Sequence, residues 1–306
     1  MQSVPTAVAL VTSLAFPDLA PDDRPLLTAL EALGLRGVPL VWDDPTVDWS
    51  RAGVTVVRST WDYHHRLVEF LAWAERISPM TSLLNPAELL RWNTHKSYLR
   101  DLAGRGVPVV PTAWLPAGGE ASLADLLSSR GWSTVVVKPA VSASAHGTML
   151  VPLGSVEAGQ AHLSTLLPTC DMMVQPYYSS VESYGERSLI FIDGELMHAL
   201  RRTPVLTQQP DRQAGPDYRD PAGDEVLLAR QVLLAVGQDV LYARVDIVRD
   251  ETGAPCLMEL ELVEPMLFLV NAPRAVERFA QAIATRVAAA RRTGGSSTQP
   301  LKNKGR

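Results

Sequence analysis

CLMELELVEP, residues 256–265, reads as a buried β-strand with two charges out of place. Leu257, Met258, Leu260, Leu262 and Val263 suit a strand interior, yet Glu259 and Glu261 stand among them. Side chains alternate across a strand, so these two carboxylates share a face, roughly 6–7 Å apart. Asp246 lies 13 residues before Glu259 in a second strand-like stretch, ARVDIV, with the turn ETGA between the two. Antiparallel pairing of the stretches predicts that Asp246, Glu259 and Glu261 meet in one patch. Three carboxylates in a poorly solvated patch repel one another unless a divalent cation joins them. Mg²⁺, with Mn²⁺ as a substitute, takes a few such oxygens and leaves positions for phosphate oxygens. The competing reading is a solvated strand face balanced by Arg244 and its basic neighbours.

Further out, VVVKP carries three valines into Lys138, which desolvates the ammonium unless an anion neutralises it. A lysine snorkelling from a strand end is the plain alternative. The next segment, VSASAHGT (141–148), is small, polar and flexible, as a loop closing its backbone N–H groups over phosphates must be. It contains His146 and Gly147. Neither G-x-x-x-x-G-K-[ST] nor a G-x-G-x-x-G after the first strand is present, so the two commonest phosphate-binding motifs are excluded.

Strand and helix patterns alternate along the chain, giving an α/β fold class. AVALVTS, VPLVWDD and VTVVRST read as strands, DDRPLLTALEALG and YHHRLVEFLAWAERI as helices, and NTHKSYLRDLAGRG as one further helix. These form an open α/β domain over 1–112. A smaller lobe is expected over 113–178 and a larger one, holding the carboxylates, over 179–290. Within the latter, Asp193-Gly194 marks a hairpin. Residues 207–223 form a polar stretch too long for an ordinary connection. The end, 291–306, has five basic and no acidic residues and reads as a disordered tail.

The 306 residues, 46% hydrophobic and 20% charged, are ordinary for a globular protein. The net charge is −5, so without the tail's five positive charges the body stands at −10, which disfavours a nucleic-acid partner. No apolar run of about 18 residues suits a membrane span. Two cysteines without metal-ligand spacing fit a reducing cytoplasm.

Jointly these stretches resemble the ATP-grasp superfamily, in the branch of bacterial glutathione synthetase and the ribosomal-protein glutamate ligases. The resemblance covers about residues 55–270. It implies an ATP-grasp fold of α+β lobes behind an N-terminal open α/β (pre-ATP-grasp) domain. It also implies ATP, with Lys96 and Lys138 on the nucleotide phosphates. In VQPYYSSVE, Gln175 and Tyr177 would meet adenine and Glu182 the ribose. Arg244 matches the arginine two residues before the first metal aspartate, here Asp246. Glu259-Leu260-Glu261 stands where the family has Glu-x-Asn, a departure that keeps an oxygen ligand and adds charge. In RSTWDYHHR the resemblance makes Arg58 a clamp for a substrate carboxylate; the competing reading takes Trp61 and Tyr63 as core aromatics and Asp62 as the cap of the next helix. Of Arg201 and Arg202, at the end of MHALRRTP, one reaches the γ-phosphate in this reading, with Arg202 carried as the site residue; which of the two does so stays open, and a solvated pair at a strand end is the alternative. His198 is read as structural.

The reaction so implied is ATP-dependent activation of a carboxylate as an acyl phosphate, then attack by a nitrogen nucleophile. RSTWDY and MELELVEP look closest to the members of this branch that close O-ureido-D-serine into D-cycloserine. An intermolecular amide ligase and a non-catalytic ATP-binding module stay open beside that. The expected partner is a small amino-acid-like substrate, with room for a homo-oligomer.

Overall fold

The computed structural model describes residues 7–202 and 216–294. The first part contains β1 (Ala7–Thr12), α1 (Pro25–Ala32), β2 (Arg36–Val41), β3 (Ala52–Ser59), α2 (Leu67–Ile77), β4 (Ser82–Leu84), α3 (Ala87–Asn93) and α4 (Tyr98–Gly104). Its sheet is parallel, in the order β2-β1-β3-β4. Parallel strands covered on both faces read as continuous apolar runs, and Val8 to Val11 are wholly buried. The stretch NTHKSYLRDLAGRG is not one helix. It divides between α3 and α4, and Lys96 sits in the break, where its backbone N–H donates to Ala140 O (2.8 Å).

The middle part contains β5 (Ala113–Leu115), α5 (Leu123–Arg130), β6 (Thr134–Pro139), β7 (Met149–Pro152), α6 (Val156–Leu166) and β8 (Met172–Pro176). Its antiparallel sheet runs β5-β8-β6-β7 and shares a core of Leu123, Leu127, Val135, Val137 and Leu163 with its helices.

The last part contains α7 (Ser180–Ser183), β9 (Glu186–Ile192), β10 (Glu195–Arg202), β11 (Asp217–Tyr218), α8 (Gly223–Val236), β12 (Tyr242–Arg249), β13 (Pro255–Glu261) and α9 (Pro273–Gly294). Its antiparallel sheet runs β11-β10-β9-β12-β13. Asp193 and Gly194 both have positive φ (51° and 76°), the backbone that a two-residue hairpin needs to follow the strand twist.

The apolar core does not follow the division between the sheets. Phe279 and Ile283 of α9 are fully buried in one cluster with Leu10, Leu26 and Val56 of the parallel sheet and α1, and with Ile190 and Ile192 of β9. The final helix therefore locks the N-terminal sheet to the large antiparallel sheet. It also runs to Gly294, so the first residues of the expected tail are helical, and the remainder (295–306) lies outside the described residues. Of the polar stretch 207–223, residues 207–215 lie outside them too, while 217–218 form β11 against β10.

Candidate active site

β12 and β13 pair antiparallel with Asp246 opposite Glu259 and Arg244 opposite Glu261, and the register shifts just beyond Asp246. One ligand oxygen from each of Asp246, Glu259 and Glu261 can be chosen so that all lie within 4.8 Å of one another. Arg244 bonds both oxygens of Asp246 (3.0 and 3.1 Å from Nε) and pairs with Glu261. Ser188 Oγ donates to Asp246 (2.6 Å), and Lys96 Nζ lies 3.0 Å from Glu259.

β13 is the sheet's last strand, so its outer backbone groups need partners from elsewhere. Asn93 supplies two, donating to Leu260 O (2.8 Å) and accepting from Leu262 N (2.7 Å). The Tyr98 hydroxyl accepts from Leu260 N (2.9 Å), and Leu257 N donates to Pro108 O (2.9 Å). Asn93 and Tyr98 flank Lys96, so the contacts that fix the strand also place the lysine against Glu259.

The charges in this patch are unevenly settled. Burial pushes the Glu259 carboxyl up, but Lys96 and Lys138 outweigh it and hold it at about 2. Burial pushes Glu261 up to about 7, against the pull of Arg244 and with help from Glu259 and Asp246. Neighbouring carboxylates in a dry site cannot both ionise cheaply, and a divalent cation removes the conflict. The donor set is three hard oxygens with no sulfur or imidazole, which suits Mg²⁺, Mn²⁺ or Ca²⁺. The residues fit such an ion.

The patch opens into a cleft of about 580 Å³ lined by residues of all three parts. Lys138, at the end of β6, is 8% exposed, and burial lowers its pKa. Lys96 also donates to Ser142 O (3.0 Å), at the start of the small polar loop. Gln175 and Tyr177 line the cleft, Gln175 donating to Thr112 Oγ1 (2.9 Å). Strand alternation separates the paired arginines. Arg202 faces the cleft, 2.9 Å from Glu186 and 3.5 Å from Asp246, whereas Arg201 turns away to the carbonyls of Tyr184 and Ser183. His198 meets the Leu267 carbonyl (3.0 Å).

Four expected site residues fall elsewhere. Arg58 needs correction: it is 1% exposed, paired with buried Asp23 (2.9 Å), and donates to Pro265 O (2.7 Å) under the rings of Tyr242 and Phe279. It clamps the protein's own chain, because Asp23 offers it a counter-charge inside the core. His146 and Gly147 need correction as cleft residues. Ser144 and Ala145 adopt positive φ (51° and 56°), which turns His146 out against His64 and His65 (5.6 and 5.3 Å between ring centres). Gly147 (φ 68°) is the turn itself, where a Cβ would lie 2.9 Å from Pro139. Ser142–Ala145 and Thr148 line the cleft instead. Glu182 stands exposed outside the lining, accepting from the Tyr177 hydroxyl (3.1 Å). Sequence reasoning missed Glu186, Glu264 and the strand-fixing pair Asn93 and Tyr98, and it left open Trp61 and Tyr63, which line the cleft.

A family model described as the N-terminal domain of D-cycloserine synthetase DcsG matches residues 8–85. The cycloserine biosynthesis protein DcsG of Streptomyces lavendulae is 36% identical over 295 residues, which is 92% of this chain and 98% of that protein. The chain belongs to the DcsG family. The crystal structure of D-cycloserine synthetase DcsG superposes with a TM-score of 0.82 at 36% identity, over 92% of this chain and 99% of that one. A RimK domain ATP-grasp protein from Sphaerobacter thermophilus (TM-score 0.66, 20% identity, 92% and 98% covered) shares the fold. So does D-alanyl-alanine synthetase A from Vibrio cholerae (0.69, 11%, 94% and 98%). As a DcsG-family member the chain is an ATP-grasp ligase, an enzyme forming carbon–nitrogen bonds with ATP and divalent metal ions. That sets aside the reading as a non-catalytic module.

Proposed function

We propose that this DcsG-family enzyme closes O-ureido-D-serine to D-cycloserine, using ATP and Mg²⁺. The observation that carries the reading is the convergence of Asp246, Glu259 and Glu261 with Lys96, Lys138 and Arg244. In this reading Asp246, Glu259 and Glu261 hold the ion, which offsets phosphate charge when bound. Lys96 and Lys138 hold the nucleotide phosphates. Gln175 and Tyr177 lie toward the base, and Arg202 and Arg244 offset charge that develops on the transferring group. Such catalysis is positioning plus electrostatics and needs no enzyme nucleophile.

The substrate carboxylate takes the γ-phosphoryl group and ADP leaves. The alkoxy-linked nitrogen of the same molecule then attacks the carbonyl, phosphate leaves, and water removes the carbamoyl group from that nitrogen. Similarity to a cycloserine biosynthesis protein over 92% of the chain supports this substrate over others. An intramolecular nucleophile makes the second step effectively unimolecular, so no second amine is required.

The test is ADP release with O-ureido-D-serine alone and with added amines. The expected result is full turnover alone and no stimulation by amines. A rate that requires an external amine, and saturates with it, identifies an intermolecular ligase instead.

A further inference from the structure

We propose that Glu264 is the substrate-recognition carboxylate of this site and receives the α-ammonium of the amino-acid substrate. The assignment rests on the amino-acid substrate proposed above. Four glutamates line the cleft: Glu186, Glu259, Glu261 and Glu264. Three are already engaged, Glu186 with Arg202, Glu259 with Lys96 and Glu261 with Arg244. Glu264 is 9% exposed, and its carboxyl has no hydrogen bond or ion pair among the described residues. A buried carboxylate without a counter-charge is costly, so such a group is kept neutral or meets a cation from outside. Burial and then the neighbouring Glu261 hold its carboxyl well above the ordinary range, against the pull of Lys96 and Arg244, which are paired with Glu259 and Glu261. An amino acid that gives its carboxylate to phosphorylation still has one cation to place, and among the described residues Glu264 is the cleft acid left to take it.

The surroundings suit that role. The segment after Glu264 is held at successive carbonyls by distant side chains. Trp61 donates to Glu264 O (3.0 Å), Arg58 to Pro265 O (2.7 Å), Arg244 to Met266 O (3.4 Å) and Tyr218 to Phe268 O (3.0 Å). His198 meets Leu267 O (3.0 Å). Phe268 has φ 55°, a strained backbone for a bulky residue that persists only where its surroundings over-determine it. A recognition group needs such a fixed support. Trp61, Tyr63 and Phe268 line the same cleft, and aromatic faces both attract a cation and exclude the water that would weaken its ion pair.

The test compares ADP release by the wild type, Glu264→Gln and Glu264→Asp, with O-ureido-D-serine and with 3-(ureidooxy)propanoic acid, which lacks the amino group. Expected for Glu264→Gln is a KM for the amino acid raised about 30-fold or more, as for truncating a buried charge pair. Its KM for ATP and for the des-amino acid should be unchanged. Glu264→Asp, which keeps the charge, should recover part of the loss and also reads the ratio if the Gln variant does not fold. Equal changes for both acids, or none for either, overturn the assignment while leaving the substrate reading intact. A wild type that turns over neither acid removes the substrate reading, and the assignment falls with it.

Discussion

Lys138 ends a strand in which Val135 and Val137 are buried, and its ammonium has no hydrogen-bond partner among the described residues. Phosphate supplies that partner in the proposed reaction. Lys138→Ala should therefore lose about 2–5 kcal/mol of ATP affinity, the cost of truncating one side of a desolvated charge pair. Calorimetry reads this directly, and unchanged affinity would return the residue to snorkelling. Arg58 makes the opposite point. Its pairing with Asp23 inside the core predicts that Arg58→Ala costs about 3–5 kcal/mol of stability, because an uncompensated carboxylate stays buried. Urea denaturation measures it, and a stable variant with a raised substrate KM would restore Arg58 as a substrate clamp. The carboxylate patch was legible in the sequence because alternation in β13 and the turn before it fix which side chains converge. Arg58 was not, since nothing local shows that Asp23, 35 residues earlier, meets it inside the fold.

At the scale of elements, periodicity revealed most strands and helices and the Asp193-Gly194 hairpin. It did not reveal the break between α3 and α4. Local propensity favours a continuous helix there, but Asn93 and Tyr98 find their partners on β13, more than 160 residues away. The same hairpin carries a testable tie. Partial burial pushes the Asp193 carboxyl up, yet Arg286 and Arg278 of α9 pull it below its ordinary value of 3.8. A depressed carboxylate contributes stability that is present above the unfolded value and lost as pH falls through the folded one. Asp193→Asn should thus lower the Tm at neutral pH. Its difference from the wild type should shrink as the pH falls below 3.8. A difference independent of pH would mean the tie is not electrostatic. Phe279→Ala, which empties the core where α9 joins the two sheets, should cost about 3–5 kcal/mol. A near-neutral change in a denaturation curve would mean that the helix does not lock the sheets together.

Across the whole molecule, the site belongs to no single part. Lys96 comes from the break after the parallel sheet, Lys138 from the middle sheet, and Asp246, Glu259 and Glu261 from the last. A ligand spanning them stabilises the folded chain by mass action. Mg-ADP should raise the Tm, EDTA should remove most of that increment, and Glu259→Gln should need more Mg²⁺ to restore it than Glu261→Gln. Equal Mg²⁺ curves for the two variants would contradict the assignment of Glu259 as the stronger ligand. Carboxylate activation by phosphoryl transfer is tested most directly with O-ureido-D-serine carrying ¹⁸O in its carboxylate. Attack of that carboxylate on ATP, followed by displacement, leaves one labelled oxygen in the inorganic phosphate. Mass spectrometry should find phosphate with one ¹⁸O for each D-cycloserine formed, and unlabelled phosphate accompanying product would contradict the acyl phosphate route.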